Sequence, residues 1–218
     1  MDHNFWHNKW EKNEIGFHEE EINRHLKQFW HTLELKKDAP VFIPFCGKSR
    51  DMLWLAEQGH SIIGVELSPI AAEAFFRENG IMATQKKYGN FTLWESEKIK
   101  ILCGDFFDLH TNDLLDVKAV YDRAALVALP SHLRLRYSRH LTKFLQPEAK
   151  VLLVTLAYPQ DEMKGPPFSV SQNEVKKLFR NEHDVTLLFQ KNILEDNLHF
   201  KDRGLTQLEE KAYILSRS

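Results

Sequence analysis

Residues 41–66 read VFIPFCGKSRDMLWLAEQGHSIIGVE, and this run constrains the fold more than any other part of the chain. Val41 to Cys46 is apolar and bounded by Pro40 and Gly47, the pattern of a strand buried on both faces, as parallel strands are. Gly47 allows a tight turn with no Cβ in the way. Ser49 then offers a cap for a helix carrying Met52, Leu53 and Ala56 on one side, and Gly59 stops it where a left-handed residue is wanted. A second apolar strand, Ser61 to Val65, ends on Glu66. Strand, turn, helix and strand in this order point to an α/β fold of the doubly wound, Rossmann-like kind. Glu66 follows Gly47 by 19 positions, close to the spacing of about 20 at which such folds set a carboxylate for the ribose hydroxyls of a nucleoside.

A turn that holds a pyrophosphate needs several glycines so that the backbone can come close, and this one has only Gly47. S-adenosylmethionine carries a ribose and an adenine but no phosphate, so an acidic strand end without the glycines suits it better. Glu66 taken alone reads equally well as a strand end in solvent; the surrounding unit favours the ligand.

The chain has 218 residues, enough for one well-buried domain and short for two. Its 29 Lys and Arg against 31 Asp and Glu leave a formal net charge of −2, which argues against nucleic acid or a membrane surface as partner and for a small molecule. The first residues hold no apolar core of leader-peptide length, and no apolar run approaches the roughly 20 residues that span a bilayer, so the expected place is the cytoplasm. Cys46 and Cys103 close two strands that flank a third, about 4.8 Å per spacing, beyond the disulfide reach of about 7 Å between Cα atoms. Two free thiols are expected, as buried packing rather than as nucleophiles. His3 and His7 have the spacing of a metal pair but no third ligand near them, and no metal is expected.

Along the rest of the chain, Phe5, Trp6, Trp10 and Phe17 stand in a polar amino-terminal stretch with no clean period, either plugging the core or covering a ligand. An amphipathic helix is expected over Glu19 to Leu33. Ser68 and Pro69 open a helix that Gly80 ends. Gly89-Asn90 closes a hairpin from about Ala83 to Trp94, an insertion on the core fold. Ile99 to Cys103 is a further strand, with Asp105 and Phe106 in the loop at its carboxyl end, an acceptor for an adenine amino group and a ring to pack on it. Val117 to Tyr121 is the next strand, followed by Arg123, a guanidinium that serves either a ligand or a carboxylate such as Asp122. Ser131 caps a core helix to Gln146 whose Arg134, Arg136, Arg139 and Lys143 form a solvated basic face. Ala149 to Leu156 is a central strand, and the loop from Ala157 to Ser169 carries Gly165-Pro166-Pro167-Phe168, a stiff wall or lid for a substrate. Ser171 and Glu174 form a capping box for a helix to Asn181. Val185 to Gln190 and Lys211 to Leu215 are a closing pair of strands, with Glu195 to Leu208 between them as loop.

Several of these segments together resemble the thiopurine S-methyltransferase family, in its bacterial branch, over essentially the full length. They are Trp6 to Trp10 with Gly16-Phe17-His18, Pro44 to Ser49, Gly59-His60 through Gly64-Val65-Glu66, Asp122 to Pro130, and Gly165 to Phe168. The resemblance implies a class I methyltransferase fold: a mostly parallel, seven-stranded sheet with one antiparallel strand and helices on both faces. It implies one domain over 1–218, comprising an amino-terminal cap segment and helix (1–35), a cofactor-binding core (41–156) and a lid loop with the last strands (157–218). It implies transfer of a methyl group from S-adenosyl-L-methionine to the sulfur of an aromatic or heterocyclic thiol such as a thiopurine, leaving S-adenosyl-L-homocysteine. By the same resemblance Trp10, Phe45 (where the family more often has Leu), Glu66, Asp105, Phe106 and Arg123 contact the cofactor. Arg123 also carries the catalytic role, while Phe17, Phe168 and Arg203 line the acceptor. A monomer is implied. The rival readings are a methyltransferase for small thiol, selenium or tellurium compounds and a noncatalytic cofactor-binding module.

Overall fold

The computed structural model describes residues 3–217 and divides into two compact units, 1–119 and 120–218. The first unit carries a sheet in the order β3-β4-β5-β2-β1. β1 (Val41–Pro44) pairs in parallel with β2 (Ile62–Glu66), and β2 with β5 (Ile99–Cys103). These are the apolar runs of the sequence; the side chains of β1 and β2 are almost wholly buried, and β5 buries Ile99, Ile101 and Leu102 while Lys100 is exposed. The crossovers are α3 (Asp51–Glu57) and α4 (Pro69–Glu78). Phe42, Phe75 and Phe106 are each at most 1% exposed, and burial of such a ring contributes about 1.5–3 kcal/mol.

The hairpin read at Gly89-Asn90 is present. β3 (Thr84–Tyr88) and β4 (Phe91–Glu95) meet across that two-residue turn with Tyr88 opposite Phe91. β4 then runs antiparallel to β5 and carries the sheet outward.

In the second unit the order is β6-β7-β9-β8. β6 (Ala119–Asp122) and β7 (Lys150–Ala157) are followed by a closing pair, β8 (Asp184–Asn192) and β9 (Glu209–Ser216). β9 is antiparallel to both β7 and β8, with a bulge between Leu187 and Phe189. α6 (Ser131–Phe144) and α7 (Gln172–Phe179) flank this sheet, and a short α5 (Ala125–Ala128) follows β6. The described strands number nine rather than the expected seven. The two extra strands are the β3–β4 hairpin, and antiparallel pairing is correspondingly wider than one strand.

Several boundaries moved for local reasons. The expected helix over Glu19–Leu33 is only α2 (Arg24–Phe29) followed by a 3₁₀ turn, Trp30–Leu33. Asn23 starts it late, its side chain accepting from the His25 and Leu26 N–H groups while its own N–H donates to Asp51. The amino-terminal aromatics, for which no period was found, lie on or beside α1 (His3–Glu11). α3 starts at Asp51 rather than at Ser49, although the Ser49 hydroxyl accepts the Asp51 N–H at 3.2 Å. Ser131 is the first residue of α6, not its cap, which is Pro130. The Glu195–Leu208 stretch is not plain loop: a 3₁₀ turn (Leu194–Asp196) and α8 (Leu198–Asp202) occupy it. The cap at Ser68 stands, with Pro69 at the first position and the Ala71 N–H on the Ser68 hydroxyl. Cys46 and Cys103 are free, on either side of β2 as the strand order requires.

Candidate active site

The turn after β1 begins two residues earlier than the sequence suggests, at Phe45 rather than at Gly47. Phe45 has φ 50° and Gly47 φ 53°. Gly47 takes this conformation freely, whereas a bulky side chain there stores strain on the order of 1–3 kcal/mol, of the kind that gathers at ligand sites. The Phe45 ring meets Phe106 edge to face at 5.6 Å.

Glu66 ends β2 but not in solvent: it is 6% exposed. The Gly47 N–H donates to its Oε2 and the Ser68 N–H to its Oε1, both at 2.8 Å. One carboxylate therefore joins the turn after β1 to the start of α4. Burial pushes the Glu66 carboxyl above its ordinary range, and the Ser68, Gly47 and Leu67 amides pull it back.

α1 brings Trp10 onto the same turn. A Cβ at Gly47 would stand 3.3 Å from the Trp10 ring, so a residue without a side chain lets the indole close down. Trp10 is 7% exposed. Phe17 packs edge to face on Trp10 at 5.6 Å and on Trp6 at 5.7 Å, and with 44% of its surface open it is the accessible face of this aromatic group.

At the end of β5, Asp105 caps a 3₁₀ turn, its Oδ1 accepting the Phe107 N–H at 2.9 Å. Its Oδ2 lies 2.9 Å from the His3 Nε2. His3, read from the sequence only as half of a metal-spaced pair without a third ligand, is thus the partner of an expected adenine contact. No sequence signal links two residues so far apart. Phe106 is 1% exposed and packs against Phe42, Phe45 and Phe107, so its ring is committed to the core. Burial raises both thiols, Cys103 to about 11 and Cys46 well above its ordinary value, so neither is a nucleophile near neutral pH.

The first unit therefore gathers Trp10, Phe17, Phe45, Glu66, Asp105 and Phe106 around one turn. The set suits a nucleoside without a pyrophosphate. A carboxylate with free lone pairs stands at the strand end, aromatic surface lies over the turn, and there is no glycine-rich cradle. Among the described residues no three or more His, Cys, Asp and Glu side chains come together as a metal group.

The second unit holds the other expected residues. Asp122 is held by the main chain that follows it and by α6. Its Oδ1 accepts the Ala125 and Leu126 N–H groups at 3.0 and 3.4 Å, and its Oδ2 accepts the Tyr137 hydroxyl at 2.6 Å. Burial raises its carboxyl to about 6 against the pull of those donors. Arg134 is not part of a solvated face. It is 2% exposed, donating from Nε to the Leu129 carbonyl at 2.9 Å and from Nη1 to both oxygens of Glu174 at 2.7 Å. That pairing also takes Glu174 from the expected capping box. Ser171 still caps α7 through its hydroxyl, but the Glu174 side chain does not reach back.

The Gly165–Phe168 loop is tied down on several sides. The Phe168 N–H donates to the Val127 carbonyl at 2.7 Å. The Tyr158 hydroxyl donates to the Pro167 carbonyl at 2.6 Å, and Gln160 and Ser169 close the loop base. Gly165 has φ 76°, and a Cβ there would stand 2.5 Å from the Phe168 ring, which folds back over it. Arg203 is exposed, its guanidinium 5.9 Å over the Phe200 ring.

The family model described as thiopurine S-methyltransferase matches residues 1–218. The chain belongs to the thiopurine S-methyltransferase family. Among curated relatives of that name, the one from Nitrosospira multiformis is 47% identical over 215 residues, covering 99% of this chain and 98% of its own. The one from Pseudomonas fluorescens is 45% identical over 213 residues, covering 98% of each. Solved structures share the fold at low identity. A SAM-dependent methyltransferase from Anabaena variabilis superposes with TM-score 0.67 at 12% identity, over 99% of this chain and 95% of its own. The 1,6-didemethyltoxoflavin-N1-methyltransferase of Burkholderia thailandensis, solved with S-adenosylhomocysteine, superposes with TM-score 0.64 at 15% identity, over 98% of this chain and 87% of its own. The fold is that of class I S-adenosylmethionine-dependent methyltransferases, and the chain is a methyltransferase of this family.

Proposed function

We propose that this methyltransferase moves the methyl group of S-adenosyl-L-methionine to the sulfur of an aromatic or heterocyclic thiol of the thiopurine kind. The observation that carries the reading is Glu66, a buried carboxylate pinned by the Gly47 and Ser68 amides beneath Trp10, in a chain that one family model spans. That span also supports reading 1–218 as one functional domain.

When bound, S-adenosylmethionine supplies an activated methyl group on a sulfonium, transferred by in-line displacement. The residues of this chain bind and orient. Glu66 accepts from the ribose hydroxyls with the lone pairs its amide donors leave over. Asp105 accepts the adenine amino group, and with the Phe106 ring buried any contact there falls to its main chain. Trp10 and Phe45 exclude water from the turn, which holds the reactants in line better than a wet site would. Phe17, Phe168 and Arg203 line the acceptor. A heteroaromatic thiol ionises near neutral pH, so no strong general base is needed, and Arg123 holds the anion or the cofactor carboxylate by charge and by its planar set of donors. The two free thiols suit a reducing compartment, and we place the protein in the cytoplasm as a monomer acting on small molecules rather than nucleic acid. Among the described residues no helix is long and apolar enough to cross a membrane.

The test is methyl transfer from labelled S-adenosylmethionine to 6-mercaptopurine, beside a selenite-derived acceptor and an aliphatic thiol. Saturable thiopurine methylation is expected. Cofactor binding with turnover of only the small acceptors would move the substrate to that class. Absence of cofactor binding would overturn the reading altogether.

A further inference from the structure

Arg134 lies on the second turn of α6 with no solvent-facing role, yet a buried guanidinium is kept only where its donors are matched. Its partners belong to the two stretches that carry Arg123 and Phe168. The Leu129 carbonyl ends the stretch from Asp122 through Arg123 and α5. Glu174 stands on the first turn of α7, six positions after Phe168. The same two stretches are joined a second time where the Phe168 N–H meets the Val127 carbonyl at 2.7 Å. Main chain from Val127 to Leu129, the Arg134 side chain, Glu174 and the main chain back to Phe168 therefore form a closed ring of bonds. A third tie steadies the start of the Arg123 stretch. Tyr137, one helical turn beyond Arg134 on the same face of α6, donates to Asp122 at 2.6 Å.

We propose that Arg134, through Glu174 and the Leu129 carbonyl, is a positioning residue that sets where Phe168 stands against the acceptor; this rests on the thiol-methyltransferase reading of the same site. The ring's geometry explains why the residue is Arg. One planar group meets a carbonyl from Nε and a carboxylate from Nη1, which the single ammonium of a Lys cannot do in the same place. Loosening the ring displaces Phe168 and breaks none of the bonds that hold the Glu66 carboxylate, so the effect is expected on the acceptor more than on the cofactor. A displacement near 1 Å is enough to matter, since misplacement of that size costs as much as about 100-fold in rate.

The experiment uses the full chain with 6-mercaptopurine as acceptor and S-adenosylhomocysteine as the binding probe. Arg134→Lys is expected to raise the acceptor KM about 10-fold or lower kcat/KM to match, with S-adenosylhomocysteine affinity within twofold. Glu174→Gln, which keeps the Arg134 bond to Leu129, is expected to give a smaller change in the same direction. It serves as the readable variant should Arg134→Lys fail to fold. Combining Glu174→Gln with Phe168→Ala decides the route. If Arg134 and Glu174 act through Phe168, the double variant is no worse than Phe168→Ala alone. Additive losses, or a KM unchanged in a folded Glu174→Gln, would overturn the inference while leaving the reading of function intact. Absence of thiopurine turnover by the unaltered protein would overturn that reading first.

Discussion

Glu66 is one side chain that joins two segments and, in the proposed function, also binds the cofactor. Glu66→Gln keeps its size but offers one acceptor oxygen in place of two, so one of the Gly47 and Ser68 amides loses its partner. The expected outcome is a cofactor Kd raised about 10-fold or more together with about 1–3 kcal/mol of lost stability, read by calorimetry and by thermal melting. Unchanged affinity in a folded variant would remove Glu66 from the cofactor site. Asp122 gives a prediction in pH. Its folded carboxyl titrates near 6 because burial raises it, so the stability it contributes is fully present below its ordinary value and is lost as pH rises through about 6. Asp122→Asn does not titrate. It starts less stable than its parent at pH 4, and the gap narrows by pH 7 in a series of melting curves. A gap that widens would reverse the sign of the linkage.

Among the elements, the strands were the most legible. β1, β2, β5 and β7 are apolar runs bounded by Gly, Pro or charge, and burial on both faces requires such runs. The hairpin was legible because Gly89-Asn90 names its turn. The starts of α2 and α6 were not, because Asn23 outcompeted the apolar period of Glu19–Leu33 and Pro130 displaced Ser131 as cap, whereas Ser68 and Ser171 cap their helices as read. Nor was the Arg134–Glu174 pair, since local spacing reads Arg134 as one of a row of basic residues and Glu174 as half of a capping box. Within the candidate site, the strand end at Glu66 was legible because a short motif carries it, and the pairing of His3 with Asp105 was not, because distant segments meet there. The loop before α7 yields a prediction of its own. Gly165→Ala meets both a left-handed φ and the Phe168 ring, so about 1–3 kcal/mol of stability is expected to be lost. The acceptor KM rises while cofactor affinity stays level in titrations, and a fall in cofactor affinity would place the loop elsewhere in the mechanism.

At the scale of the whole molecule, ligand binding and folding are linked. S-adenosylhomocysteine at 100 times its Kd stabilises the native state by about 2.7 kcal/mol, which for a chain of this size raises Tm by about 5–10 °C. A scan without that shift would argue against the cofactor site. Phe45 ties the backbone of the proposed site to its packing. Its φ of 50° is one that glycine adopts without strain, but the ring that such an exchange removes packs on Phe106. Phe45→Gly therefore trades about 1–3 kcal/mol of backbone strain for a lost contact of similar size. Survival at high temperature alone is then expected to be nearly blind to this position, and only a measurement of methyl transfer separates the two residues.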